Sequence, residues 1–285
     1  MLFGAHVSAA GGLLNAPRNA VALEAETFQF FSRPPQGGPA PRIDKNLARD
    51  FRNICEKSRL SRFAIHAPYY INFASPNSRI RQTSIRVIRE ELERGSALGA
   101  EFMMTHLGSG REIKNKNAIL KTVAASLIDV LSGYRGTTRF LVEISAGSGQ
   151  TIGAEFEEIA GLLAVIDQKN KSVPIGVCFD TQHDFASGYD LSTLTAVKTT
   201  LAQIDSTIGL ERIFMSHAND SKTELNSRKD RHEHLGQGRI GIEGFKALVN
   251  HPKLQHWLFV VETPNDQTKR REDIKLLKKL RAKTA

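Results

Sequence analysis

The sequence predicts an α/β fold, a closed (β/α)8 barrel that occupies residues 1–285 as a single domain. Eight short apolar runs recur along the whole chain, and each has the composition of a buried strand. They begin at residues 2 (LFGAHV), 27 (TFQFF), 62 (RFAIHA), 102 (FMMTHLG), 139 (RFLVEI), 175 (IGVCFD), 213 (IFMSHAND) and 258 (LFVVET). Their spacing of roughly 25 to 45 residues is the interval that a strand and a crossover helix occupy.

The stretches between these runs have the apolar period of helices. The stretch from 44 to 58 carries on one face Leu47, Phe51, Ile54 and Cys55. The stretch from 79 to 99 repeats the pattern, and Gly99 is expected to end that helix. Repeated strands and helices of this kind favour a closed parallel TIM barrel over an open sheet. Such a barrel needs about 250 residues, which the chain supplies.

The composition is that of an ordinary globular protein, with 40% apolar residues. Neither a signal peptide nor an apolar run long enough to span a membrane is present, so we expect a cytoplasmic protein. Cys55 and Cys178 are the only cysteines, and their wide separation predicts free or buried thiols instead of a disulfide. A metal site would therefore be built from histidine and carboxylate side chains.

The chain is basic, with a net charge of +9 from 39 Lys and Arg against 30 Asp and Glu. A basic surface attracts polyanions, of which nucleic acid is the most common. Part of the excess lies in residues 266–285, which we expect to form a last amphipathic helix with a solvated basic face. The charge is thus compatible with nucleic acid but does not specify it.

The functional face of such a barrel lies at the C-terminal ends of its strands. Seven of the eight runs carry a histidine or a carboxylate there, and only the second run lacks one. The seven residues are His6, His66, His106, Glu143, Asp180, His217 and Glu262. A lone histidine at a strand end is usually structural. Four histidines and three acids on one face instead predict a site for divalent metal ions.

The loops add further donors of the same types. Asp180 and His183 stand three residues apart, and Asp230 and His232 alternate in the stretch KDRHEHLGQG. With His6 set aside, the candidate ligands are His66, His106, Glu143, Asp180, His183, His217, Asp230, His232 and Glu262. This set is large enough for two or three ions. Such a centre suits hydrolysis of a phosphate ester, because metal ions activate water and neutralise phosphate charge.

Five segments of the chain closely resemble the endonuclease IV family, the zinc-dependent abasic-site endonucleases of AP endonuclease family 2. These segments are GAHVSAAGG from residue 4, GVCFDTQHDFASGYD from 176, HANDSK from 217, DRHEHLGQGRIG from 230 and VVETPN from 260. The resemblance implies a TIM barrel with three Zn²⁺ ions, with Mn²⁺ as an alternative in one or more sites. It further implies a monomer without a membrane or an obligate protein partner.

The resemblance also implies how the ions are held. His66 and His106 would bind the first ion, and Glu143 would bridge it to the second. Asp180, His217 and Glu262 would complete the second site. The third ion would be held by His183, Asp230 and His232. At all nine ligand positions, this sequence has the residue type that the family has there.

The reaction implied by the resemblance is hydrolysis of the phosphodiester 5′ to an abasic site in double-stranded DNA. A metal-bridging hydroxide would attack and leave a 3′-hydroxyl and a 5′-deoxyribose phosphate. Removal of 3′-blocking groups is the expected companion activity. Glu143, Glu262 and His232 are the residues that the resemblance places in catalysis.

Some positions depart from the family pattern. Gln182 stands where relatives commonly have cysteine, and Asn226 where they have glycine. In the loop SRPPQGGP, residues 32–39, Gln36 takes the place of an arginine that enters the minor groove. We expect the altered loop to change substrate preference and DNA kinking, and not the metal chemistry.

Other side chains are candidates for DNA contact. Tyr69 and Tyr70 match a second inserting loop of the family and are candidates for stacking. Arg231, between two ligands, is a candidate for the DNA backbone, and a phosphate contact is a hypothesis for Asn219 and Lys222. The resemblance assigns no metal to His6. We expect His234 to point away from the two ligands Asp230 and His232, and to support the ligands or the fold without binding an ion.

Two alternative functions remain compatible with the fold. A sugar isomerase or epimerase of the related barrel group would use Glu143, Asp180, His217 and Glu262. It would have no use for the five additional donors. A DNA-binding homologue without catalysis would keep the surface, and only a turnover measurement separates it from an endonuclease.

Overall fold

The computed structural model describes residues 1–110, 115–169 and 175–282. Eight parallel strands form a closed barrel. They are β1 Leu2–His6, β2 Thr27–Phe30, β3 Ala64–His66, β4 Phe102–Thr105, β5 Arg139–Glu143, β6 Gly176–Asp180, β7 Ile213–His217 and β10 Leu258–Val261. Their order around the barrel is β1-β10-β7-β6-β5-β4-β3-β2, and β1 closes it by pairing with β2 on one side and β10 on the other.

The predicted barrel and all eight predicted strands are confirmed. The observed strands are shorter than the apolar runs, and β4 ends at Thr105, one residue before His106. The seventh run is interrupted, since β7 ends at His217 and a separate strand β8, Asp220–Ser221, follows. This short strand pairs antiparallel with β9, His232–Glu233. The pairing forms a ribbon above the barrel mouth.

Helices pack around the barrel and connect its strands. They are α1 Asn15–Ala22, α2 Lys45–Lys57, α3 Ser78–Leu98, α4 Lys116–Leu131, α5 Phe156–Lys169, α6 Thr181–Ser187, α7 Leu194–Thr207, α8 Gly241–Val249 and α9 Gln267–Leu280. The two helices expected over 44–58 and 79–99 are confirmed, and Gly99 ends α3 with a φ of 84°. The basic last helix is also confirmed, because Ile274 and Leu277 of α9 are buried.

Two apolar layers support the barrel. The interior is filled by Ala64, Phe102, Met104, Leu141, Cys178, Met215, Leu258 and Val260. A larger cluster fills the space between strands and helices. The interior side chains occupy the lower part of the barrel, so the inward-facing residues at the strand ends form its polar upper layer.

No helix within the described residues is both long enough and apolar enough to cross a membrane.

Both cysteines are buried and form no disulfide. Burial raises the pKa of the Cys55 thiol to about 12, and burial also raises that of Cys178 to about 12. Alkylation requires the thiolate. We therefore expect iodoacetamide at pH 8 to leave native protein unmodified and to label both thiols after unfolding, as measured by intact mass. Rapid labelling of native protein would contradict this prediction.

Candidate metal centre

The structure brings all nine candidate ligands to the C-terminal end of the barrel. His66, Glu143, Asp180 and His217 are the last residues of their strands. His106 directly follows β4, and Glu262 directly follows β10. The other three lie in connections: His183 on α6, Asp230 before the ribbon and His232 within it. Strand ends thus supply most donors, and two loops complete the set.

The first group of donors consists of His66, His106 and Glu143. Nε2 of His106 lies 3.2 Å from Oε2 of Glu143, and Nε2 of His66 lies 3.9 Å from the same oxygen. Glu143 is completely buried. Two imidazole nitrogens therefore converge on one carboxylate oxygen.

The second group surrounds the ring of His217. Its Nδ1 lies 2.8 Å from Oε1 of Glu143, 3.2 Å from Oε2 of Glu262 and 3.6 Å from Oδ2 of Asp180. These four residues form one candidate metal group. The two oxygens of Glu143 face different groups, which is the geometry of a bridging carboxylate.

The third group consists of His183, His232 and Asp180, with Asp230 beside them. Oδ2 of Asp230 lies 3.5 Å from Nε2 of His183, and its Oδ1 lies 3.2 Å from Nε2 of His232. Oδ2 of Asp180 lies 3.9 Å from Nε2 of His232. Asp180 thus borders both the second and the third group.

Hydrogen bonds to backbone carbonyls orient three of the rings. Nδ1 of His66 donates to the carbonyl of Ala67, and Nδ1 of His183 donates to that of Ile144. Nδ1 of His232 donates to the carbonyl of Glu262. Each bond leaves Nε2 as the nitrogen that faces the cluster, which is the usual arrangement behind metal-binding histidines.

The two carboxylate oxygens of Asp180 have different functions: one caps a helix and the other faces the candidate metal site. Its Oδ1 caps α6 by accepting from the backbone N–H groups of Gln182 (2.7 Å) and His183 (2.9 Å). Its Oδ2 accepts from Nδ2 of Asn219 at 2.7 Å and faces the histidines. The helix cap therefore places His183 relative to Asp180.

Two amide side chains, for which the sequence did not predict this role, support the ligands. Nε2 of Gln29, on β2, donates to Oε1 of Glu262 at 2.7 Å, and its Oε1 accepts from Nε2 of His217 at 2.9 Å. Oδ1 of Asn219 accepts from the backbone N–H of Glu262. Asn219 is completely buried, so the hypothesis of a phosphate contact is wrong for this residue. The second strand thus does contribute a polar side chain to the site.

The loop that carries His232 is anchored by Asp220. The buried carboxylate of Asp220 accepts from the backbone N–H groups of Gly236 (2.8 Å), Gly238 (3.1 Å) and Ile240 (2.9 Å). A Cβ on Gly238 would lie 2.5 Å from Oδ1 of Asp220, so this close approach requires glycine. The backbone of the loop is thereby held in one conformation beneath the third group.

Two neighbouring histidines lie outside the three groups. Nδ1 of His234 donates to Oδ2 of Asp273 at 2.8 Å, which supports its structural interpretation. Nδ1 of His6 lies 3.3 Å from Oε1 of Glu262, so His6 borders the cluster.

Cys178 lies near Glu143 and His217, but burial raises its pKa to about 12 and keeps the thiol protonated.

The electrostatics of the cluster fit a metal ion. Oε2 of Glu143 and Nε2 of His232 are buried and form no hydrogen bond within the described part of the chain. Burial disfavours charge on Glu143, but His106 and His217 outweigh it and hold the pKa of this carboxyl well below its usual value. Buried ionised carboxylates require a compensating cation. The donors are carboxylate oxygen and imidazole nitrogen, which zinc and manganese accept.

Burial and the nearby carboxylates act in opposite directions on the pKa values of the histidines, and the outcome differs between two of the rings. Burial opposes the charge on His183, but Asp180 and Asp230 outweigh it and raise the pKa of this ring well above its usual value. Burial lowers the pKa of His66 to about 4, although Glu262 and Glu143 act in the opposite direction. A metal ion would supply the positive charge that protonated rings otherwise supply.

The candidate DNA-contacting residues line the rim of this face to different degrees. Tyr69 is 64% exposed, whereas Tyr70 is half-buried. Gln36 and Arg231 are exposed. Asn226 has a φ of 60°, a left-handed conformation that asparagine tolerates, which explains how it replaces glycine there.

Comparisons with known proteins agree with the geometry. The model of the xylose isomerase-like TIM barrel family matches residues 17–280. The chain is 38% identical to a probable endonuclease 4 of Haloarcula marismortui over 266 residues, 93% of each protein. It resembles the crystal structure of endonuclease IV from Thermus thermophilus with a TM-score of 0.86 and 31% identity, over 98% of each chain. A D-tagatose 3-epimerase-like protein, with a TM-score of 0.71 and 18% identity over 98% of this chain and 97% of that one, shares the fold alone. The chain therefore belongs to the endonuclease IV family of nucleases.

Proposed function

We propose that this protein is a DNA repair endonuclease that hydrolyses the phosphodiester 5′ to abasic sites in double-stranded DNA. The products are a 3′-hydroxyl and a 5′-deoxyribose phosphate, and 3′-blocking groups are removed at the same centre. The observation that carries the proposal is the arrangement of nine donors in three groups, with Glu143 and Asp180 each bordering two groups. Family membership supports the same activity.

The nine residues hold three Zn²⁺ ions in this proposal, with Mn²⁺ as an alternative. When bound, the ions would activate water and neutralise charge on the phosphate. Glu143 keeps the first two groups together, since each of its oxygens faces a different set of histidines. Glu262 closes the second group and is held by Gln29 and by its own backbone bond to Asn219. His232 presents Nε2 to the third group because its Nδ1 is occupied.

The third group favours phosphodiester hydrolysis over sugar isomerisation. An isomerase would require the second group alone, namely Glu143, Asp180, His217 and Glu262. Here a further buried histidine, His183, lies 3.5 Å from Asp230 beside that group, and Asp230 lies 3.2 Å from His232. Three adjacent cation sites suit a substrate with phosphate charge. The net charge of +9 favours the same kind of substrate.

DNA binding is proposed for the rim around the metal centre. The exposed ring of Tyr69 packs edge to face on Phe31, with centroids 5.1 Å apart, and is available for stacking in the gap left by an abasic nucleotide. Arg231 is proposed to contact the DNA backbone, Gln36 the minor groove, and Tyr70 to support Tyr69. The protein acts as a monomer in this proposal.

The proposal is tested by incision of a labelled duplex that contains one abasic analogue. We expect metal-replete protein to cut that strand once, on the 5′ side of the lesion. Removal of metal with a chelator should abolish incision, and added Zn²⁺ should restore it, because the donors are all on the protein. Sugar isomerisation, or retardation of the duplex without cleavage, would contradict the proposal. An undamaged duplex of the same sequence is the control.

A further inference from the structure

The loop after β2 has an unusual composition. This segment, FSRPPQGGPAP over residues 31–41, is called the proline loop below. Its four prolines restrict the backbone on both sides of a short tip. At the tip, Gly37 and Gly38 have φ values of 119° and 112°. The loop therefore combines a stiff stem with a tip that carries little side chain.

The only arginine of the proline loop pairs with two acids of a neighbouring helix. Nε of Arg33 donates to Oε1 of Glu91 at 2.6 Å, and its Nη2 donates to Oε2 of Glu90 at 2.9 Å. Both acids belong to α3. Arg33 is 7% exposed and Glu91 is completely buried. The guanidinium of Arg33 thus bonds to α3 and is almost completely shielded from solvent.

Additional contacts attach both ends of the loop to α3. Oγ of Ser32 donates to Oε2 of Glu91 at 2.6 Å. Arg94 donates through Nε to Oγ of Ser32 at 2.7 Å and through Nη1 to the carbonyl of Pro41 at 2.7 Å. The beginning and the end of the loop are therefore held by one helix. Both oxygens of Glu91 take part in this anchor.

The anchored loop contacts the rim beside the metal centre. The backbone N–H of Tyr69 donates to the carbonyl of Pro35 at 3.0 Å. The ring of Phe31 lies 5.1 Å from the rings of both His66 and Tyr69. A cavity of about 740 Å³ opens between the loop and the residues that follow β1. Displacement of the loop would therefore displace Tyr69 and one wall of this cavity.

We propose that Arg33 and Glu91 are positioning residues that hold the proline loop and Tyr69 as a preformed edge for substrate DNA. This inference rests on the proposed function and adds which side chains set substrate affinity without touching DNA. A buried ion pair contributes little net stability compared with an apolar pair of the same size. Its contribution here is to define the position of a loop, which reduces the ordering cost of binding.

The test replaces the buried pair by apolar side chains of similar length. In the double variant Arg33→Met with Glu91→Met, we expect the KM for an abasic duplex to rise about ten-fold, or ~1.4 kcal/mol. The kcat should stay within two-fold, since neither residue contacts the metal groups. Arg33→Lys keeps the charge but loses the forked contact, and its KM should fall between those of the wild type and the double variant.

Two further measurements separate positioning from general destabilisation. Glu93→Gln removes an exposed acid from the same helix and should leave KM unchanged. Hydrogen exchange at the amides of the proline loop should accelerate in the double variant while the barrel strands stay protected. If the double variant does not fold, KM and hydrogen exchange are both measured on Arg33→Lys instead.

The outcomes are distinguishable. A wild-type protein that leaves the abasic duplex intact contradicts the proposed function, and loop exchange still reports whether the anchor exists. A wild-type protein that cuts the duplex while the Arg33 and Glu91 variants keep its KM contradicts the positioning role. A lower kcat together with a lower melting temperature, while KM stays unchanged, would also contradict the positioning role.

Discussion

Glu143→Gln is expected to reduce incision of an abasic duplex at least about 1,000-fold, or ~4 kcal/mol of transition-state stabilisation. Glu143 lies completely buried between His106 and His217, and each of its oxygens faces a different group. The amide keeps the shape but loses the charge and one acceptor, so the first two proposed metal sites would lose their shared ligand. Zinc content measured by mass spectrometry should fall together with incision.

The matched control is Glu158→Gln, another buried carboxylate. Glu158 accepts from the backbone N–H of Gly153 at 2.8 Å and pairs with Lys116, away from the metal groups. Its replacement should lower the melting temperature while zinc content and incision stay close to those of the wild type. If Glu143→Gln binds a full complement of zinc and cuts at the normal rate, the bridging role of Glu143 is wrong.

His232→Ala should mainly reduce activity and His234→Ala should mainly reduce folding stability, although the two residues are only two positions apart. His232 directs Nε2 toward Asp230 and Asp180, so its loss should remove the third ion and slow incision about 100-fold or more. His234 instead donates to the buried Asp273. Its loss should cost about 1–3 kcal/mol of folding stability, because the buried carboxylate would keep only its bonds from the Thr263 hydroxyl and the backbone N–H of Leu235.

The pair is measured by incision kinetics, zinc content and thermal unfolding. We expect His232→Ala to lose zinc and activity with a small change in melting temperature. His234→Ala should lose melting temperature and keep most of its activity at 25 °C. A reversal of this pattern would mean that His234, and not His232, faces the metal centre.

The metal donors at the strand ends could be predicted from the sequence, because each is identified by its own residue type. His66, His106, Glu143, Asp180 and His217 could be placed because parallel strands end on one face and because their side chains bind metal. Gln29 escaped the same reasoning although it occupies the same layer on β2. An amide is not a preferred zinc ligand, so the residue type of Gln29 does not mark it as part of a metal site. Its role appears only in its bonds to Glu262 and His217.

Other roles could not be assigned because they depend on burial. Asn219 and Lys222 lie close together in HANDSK, but Asn219 is completely buried and Lys222 is exposed. Only the amide is therefore available to hold Asp180 and Glu262. The role of Arg33 in the proline loop could not be predicted either, since nothing near it in the sequence indicates its hydrogen bond to the distant Glu91.

The sequence by itself determined the barrel, the family and the types of metal donor. These features follow from the local periodicity of apolar residues and from the identity of single side chains. The tertiary structure decided which donors share an oxygen, which ring nitrogen faces the cluster and which charged groups are used by the fold. The bond between Gln29 and His217 spans 188 residues and forms only because β1 closes the barrel between β2 and β10. Contacts of this kind depend on closure and burial, which no local pattern in the chain encodes.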